Sequence, residues 1–206
     1  MILYCQIRFI ETEALSRCAQ EHQKGNAMKI LVMDDSEVNR KAATILLAGH
    51  EVTTVENFDQ AIDVLRQEKF DAVLTDLLTP PFVHGFAWSK FSGQEIPFGA
   101  FLALKALQLG VKFVAIVTST NHHDNPAAAA IDYLMTQDMR IGNSRFECWN
   151  SAVFYLKEDT LEPVGGCDDI GGYPSISDER GEKTIGYKGL VCTKPWHQVL
   201  EWLLST

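Results

Sequence analysis

The chain has 206 residues, 46% of them apolar and 22% charged, with a formal net charge of −9. That apolar share supports a packed core in one generous domain, and the acidic balance argues against nucleic acid, whose phosphates call for clustered Lys and Arg. No apolar run approaches the roughly 20 residues of a membrane span. The start lacks a basic export signal, and Cys5, Cys18, Cys148, Cys167 and Cys192 form no CxxC pair, which together read as reduced thiols in a cytoplasmic protein.

Residues 1–27 precede the regular pattern as an N-terminal extension. They include "ETEALSRCAQEHQK", helical in composition, and both an appended helix and a mistaken upstream start fit them. From Met28 strands and helices alternate. "KILVM" is a short apolar run bounded by acids, as expected of a strand buried on both faces. Ser36 is a candidate N-cap for a helix that ends at Gly49. "EVTTV" is a second strand, and Asn57 caps a second helix, "NFDQAIDVLRQEK". "FDAVLTD" is a third strand ending at Asp76.

A loop rich in Pro, Gly and aromatics, with Phe86, Trp88 and Phe91, runs from about residue 77 to 97. It reads as folded onto its own domain or as a recognition patch. "FGAFLALKALQLG" is a third helix and "VKFVAIVTST" a fourth strand. "NPAAAAIDYLMTQDM" predicts a helix starting at Pro126, and "IGNSRFECWNSAVFYL" a hairpin around Gly142-Asn143. "EPVGGCDDIGGYPSISDERGEK" predicts an irregular, partly mobile loop. "GLVCTKPW" reads as the fifth strand and "WHQVLEWLLS" as a closing helix. Alternating strands and helices imply a mostly parallel sheet covered on both faces. Residues 28–206 form that domain, with about 121–188 expected as an insertion between strand four and strand five.

Ligands of doubly wound sheets bind beyond the carboxyl ends of the strands. Strand one delivers Asp34 and Asp35 there, strand three Asp76, strand four Thr118 and Ser119, and the last strand Lys194. Three close carboxylates raise one another's pKa unless a cation neutralises them, and a hard ion such as Mg2+ suits such oxygen ligands. A hydroxyl and a lysine suit phosphate oxygens. The set fits phosphoryl transfer onto a carboxylate. His122 and His123 reach the same edge with Asp124 and are accessory candidates, as a metal site or as plain loop residues.

The order of "VMDDSEVNR", "LTDLLTP", "IVTS" and "CTKP", each ending a strand, resembles the receiver domain of two-component response regulators. The resemblance covers residues 28–120 and resumes at about 189. It implies a flavodoxin-like, five-stranded parallel sheet of order 2-1-3-4-5, with Asp76 as phosphoacceptor for a histidine kinase or phosphotransfer protein. It further implies Mg2+ held by Asp35, Asp76 and the Leu78 carbonyl directly and by Asp34 through water, Thr118 and Lys194 on the acyl phosphate, and a downstream protein as the partner of a stand-alone receiver. Val191 occupies the position, three before the lysine, where receivers carry an aromatic switch residue. The long segment after strand four is expected to replace the usual fourth helix and neighbouring strand region. An Mg2+-dependent phosphatase using the same acids is the alternative, disfavoured because Ser36 stands where a DxD motif needs its second acid. The resemblance implies a signalling module rather than an enzyme.

Overall fold

The computed structural model describes residues 27–80, 94–120, 123, 125–134, 139–150, 153–165, 175–177, 183–185 and 190–205. The expectations for residues 1–26, for Phe86, Trp88 and Phe91, and for His122, Asp124 and Cys167 lie outside them.

Strands β1 (Lys29–Met33), β2 (Glu51–Val55), β3 (Ala72–Thr75) and β4 (Phe113–Val117) run parallel in the order β2-β1-β3-β4. Helices α1 (Glu37–Leu46), α2 (Phe58–Gln67), α3 (Phe98–Gln108), α4 (Pro126–Ile131) and α5 (Trp196–Leu204) complete the layers. Alternate residues along each strand enter opposite cores. Leu31, Met33, Val73, Val114 and Ile116 pack with α2, α3 and α4, while Ile30, Val32, Leu74, Ala115 and Val117 pack with α1 and α5. Asn57 accepts the Gln60 N–H at 3.0 Å and caps α2 as expected. Ser36 precedes α1 without a side-chain cap bond. Asn125 caps α4, which is shorter than its sequence suggested and passes into one 3-10 turn, Asp132–Leu134.

The fifth parallel strand is not the C-terminal one. Strand β6 (Ser144–Trp149) lies beside β4, with Phe113 opposite Arg145 and Val117 opposite Trp149. Strand β5 (Met139–Ile141) joins it through the expected hairpin, where Gly142 takes φ +63°. The order 2-1-3-4-5 therefore holds with a different segment in fifth place, and an antiparallel edge strand lies outside it. The segment after β4 contains both a short helix and the fifth strand, and the extra structure comes after that strand.

Strands β7 (Phe154–Lys157) and β8 (Pro163–Gly165) form a separate antiparallel sheet with β11 (Leu190–Thr193), in the order β11-β7-β8. Within the stretch expected to be irregular, β9 (Ser175–Ser177) pairs with β10 (Lys183–Ile185). The physical reason for the exchange lies in β6. Its charged residues, Arg145 and Glu147, alternate with Phe146 and Cys148, and both charges are buried. Arg145 meets Glu147 at 3.2 Å and donates to the Trp202 and Leu203 carbonyls at 2.7 and 3.1 Å. The pair neutralises itself and fills the open carbonyls at the end of α5. No helix of the described residues is long and apolar enough to cross a membrane.

Candidate functional site

The ends of β1 and β3 are neighbours, so the turns that leave them meet. Carboxylate oxygens of Asp34, Asp35 and Asp76 lie within 4.8 Å of one another. Lys194 enters from the accessory sheet, its ammonium 2.6 Å from Asp34 Oδ2 and 2.8 Å from Asp76 Oδ1. Its side chain is 1% exposed, and that of Asp76 13%.

Each acid is held differently. Asp34 is fully occupied: Oδ1 accepts from the Ser36 N–H at 2.9 Å and from Asn39 at 3.0 Å, and Oδ2 accepts from Lys194. Asp76 Oδ1 accepts from the Leu77 N–H at 2.7 Å and from Lys194, while no bond to its Oδ2 is made among the described residues. Burial pushes the Asp76 carboxyl up to about 6, opposed by Lys194 and reinforced by the charges of Asp34 and Asp35. Asp35 is exposed, yet desolvation in the turn and then the Asp34 charge raise its carboxyl above the usual range.

Backbone packing fixes Asp76 from behind. The Asp76 N–H donates to the Met33 carbonyl at 2.8 Å, and Gly99, at the start of α3, sits so close that a Cβ would lie 1.7 Å from the Asp76 carbonyl oxygen. Only glycine allows that approach. Leu78 follows in the same turn, 3% exposed. Thr79 pairs with Ile96 through two backbone bonds, which close the base of the connection into α3.

Thr118 ends β4 and is fully buried, its Oγ1 accepting from the Thr120 N–H at 3.2 Å. Ser119 and His123 are exposed. Among the described residues the His, Cys, Asp or Glu cluster able to share an ion consists of the three aspartates, without His123. Val191 lies opposite Leu156 in the accessory sheet, not in the central one. Three further residues serve the site. Arg40 Nη1 donates to the Asp34 and Asp35 carbonyls at 2.8 and 2.7 Å, Asn39 holds Asp34, and the Trp196 indole N–H donates to the Asn39 carbonyl at 3.0 Å. "NR" in the first turn after the acidic pair was the signal for two of them, since a first-turn side chain reaches back to the preceding loop.

The strand order and the acid–lysine cluster resemble those of receiver domains. No family model matches the chain. A stretch of 56 residues is 43% identical to the sensory/regulatory protein RpfC of Xanthomonas campestris pv. campestris. It covers 26% of this chain, and the chain spans only 8% of that relative's length. Among solved structures the receiver-like chain is similar to the response regulator TrrA of Thermotoga maritima in complex with Mg2+-BeF (21% identity, 50% of this chain and 79% of that one, TM-score 0.36). It is also similar to the chemotaxis response regulator CheY4 of Vibrio cholerae (20%, 52% and 81%, 0.36). A third similar structure is the isolated REC domain of RcsB from Salmonella enterica serovar Typhimurium (16%, 52% and 73%, 0.37).

The receiver-like site suits a divalent cation. Its three carboxylates face a single ammonium, which leaves an excess of negative charge in a partly desolvated turn. All the donors are hard oxygens, the set that Mg2+ favours.

Proposed function

We propose that the protein receives a phosphoryl group on Asp76 in two-component signalling and passes the signal to a protein partner. The observation that carries this reading is the asymmetry of the Asp76 carboxylate. Oδ1 is fixed by the Leu77 N–H and Lys194, and Oδ2 has no bond among the described residues. Oδ2 attacks the phosphorus of a phosphohistidine on a kinase or phosphotransfer protein. The P–N bond breaks, its electron pair stays with the imidazole nitrogen, which takes up a proton, and an aspartyl phosphate forms. Mg2+ held by Asp34, Asp35, Asp76 and the Leu78 carbonyl would supply charge neutralisation for the incoming phosphate oxygens.

Lys194 then exchanges a carboxylate oxygen for a phosphoryl oxygen, and the Thr118 hydroxyl turns from Thr120 to the same group. The added charge biases the fold between two arrangements that a partner distinguishes. Asp34, with both oxygens engaged, is a poor nucleophile, which weighs against a phosphatase acting from strand one. The protein serves as acceptor and switch, not as a turnover enzyme.

Intact mass spectrometry after incubation with acetyl phosphate and Mg2+ tests this. The native protein gains one phosphoryl group, and Asp76→Asn gains none. A native protein that stays unmodified, or an Asp76→Asn variant that is still modified, overturns the reading. So does catalytic release of phosphate from a generic phosphate ester.

A further inference from the structure

In the central sheet the strand beside β4 ends at Trp149, and the residue that follows, Asn150, bonds to Asp132 at 2.6 Å and to the Ala128 carbonyl. The fifth strand thus contributes no cation to the acidic edge. Lys194 arrives instead from β11, whose partner β7 belongs to the accessory sheet, and Thr193 Oγ1 donates to the Phe154 carbonyl at 3.2 Å. An ammonium on a four-carbon stem needs a rigid support to stay between two carboxylates. The central sheet does not supply one.

The support is Trp196. This residue is fully buried between α1 and the turn that carries Lys194. Its indole N–H donates to the Asn39 carbonyl at 3.0 Å, and Asn39 holds both oxygens of Asp34, at 3.0 and 3.2 Å. Its ring centroid lies 5.6 Å from Lys194 Nζ, within the range in which an aromatic face attracts a cation. Two of the three ammonium donors go to Asp34 and Asp76, and the ring flanks the same nitrogen. One side chain therefore flanks the ammonium and reaches Asp34 through Asn39. A buried indole N–H needs an acceptor whatever its role, so the ring beside the ammonium is the contact that packing does not require.

We propose that Trp196 is a positioning residue of the acidic site: it fixes Lys194 between Asp34 and Asp76 and ties that lysine to α1. The inference rests on the phosphoacceptor reading for its kinetic consequence, but not for its structural one. Loss of the indole N–H uncouples the lysine turn from Asn39 while the remaining ring preserves most of the packing. Loss of the ring as well leaves the ammonium unflanked.

Trp196→Phe and Trp196→Leu, each in the full chain, separate the two contacts. The first readout is amine acylation by a small reagent without metal, with each lysine followed by peptide mass spectrometry. Lys194 is protected in the native protein. Its labelling rises severalfold in Trp196→Phe and further in Trp196→Leu, while Lys41 and Lys105 label as before. The second readout is the rate of phosphoryl uptake from acetyl phosphate with Mg2+, expected to fall about tenfold in Trp196→Phe, since small displacements of a positioned group carry penalties of that order. The third is the intrinsic fluorescence change on adding Mg2+, present in the native protein and lost in Trp196→Phe although the other three tryptophans remain.

Unchanged Lys194 labelling in a folded Trp196→Phe variant overturns the inference, as does a native fluorescence response that survives the substitution. If the native protein takes up no phosphoryl group, the proposed function fails, and the labelling result alone decides the role of Trp196. Should Trp196→Leu unfold, Trp196→Phe decides.

Discussion

The two ends of the central sheet both bury charge, and they do so to opposite effect. At the amino end of β6, Arg145 and Glu147 form a closed pair, each side chain about as buried as the other at 5% and 4% exposure. The guanidinium spends its remaining donors on the last carbonyls of α5. At the carboxyl ends of β1 and β3, three carboxylates share one ammonium. The first arrangement pairs opposite charges directly. The second is left with an excess of carboxylates, a donor set that suits a cation, and with a carboxyl pushed up to about 6. Burial alone does not mark a functional charge; an unsatisfied balance of charge does.

Breaking the balanced end has the largest expected effect. Arg145→Met takes the guanidinium away from buried Glu147 and uncovers the end of α5, which lowers stability by about 3 to 5 kcal/mol in urea unfolding. Arg145→Met with Glu147→Leu recovers most of that loss, because a well-packed apolar pair replaces a buried ion pair at little cost. A double variant no better than the single one shows that the helix carbonyls, not the stranded charge, dominate.

Relieving the unbalanced end should do the reverse. The folded-state pKa of Asp76 is raised, so its contribution to stability is fully present below about pH 4 and is lost as pH rises through about 6. With chelator present, Asp76→Asn escapes that loss. The variant is expected to be more stable than the native protein above pH 6, by up to about 3 kcal/mol, with the gap closing toward pH 4. Thermal melts of both proteins from pH 4 to 8 measure it, and a gap that does not depend on pH contradicts it.

The comparison shows which parts of the molecule could be read from sequence. Four strands and the closing helix were legible because uninterrupted apolar runs such as "KILVM" permit no other burial. The three aspartates were legible because each stands at the end of such a run. Strand β6 was not. Its Arg and Glu imitate a solvated face, and only the fold reveals that they neutralise each other across two residues. That mistake moved the fifth strand to Leu190–Thr193, which has the composition of a core strand but pairs with Phe154–Lys157. Trp196 was legible only as the start of the closing helix, since neither the Asn39 carbonyl nor the neighbouring ammonium leaves a mark in the spacing.

The smallest expected effect sharpens the contrast without breaking either end. Mg2+ at saturation should stabilise the native fold by about 1 to 3 kcal/mol, through binding to the folded state alone. Asp35→Ala should abolish the gain, while the Arg145→Met and Glu147→Leu double variant should keep it in full. Melting temperatures with and without millimolar Mg2+ make the comparison, and a gain that persists in Asp35→Ala would move the cation away from the acidic turn.

The bond between Lys194 and Asp34 joins residues 160 positions apart. During synthesis the acids of β1 and β3 leave the ribosome long before the lysine that quiets them, and loop closure over so long a span comes late in folding. Until the last helix docks, the nascent domain holds a cluster of carboxylates with no ammonium among them. A chain cut short before residue 194 lacks the ammonium that Asp34 and Asp76 share, as well as the α5 residues that cover one face of the central strands.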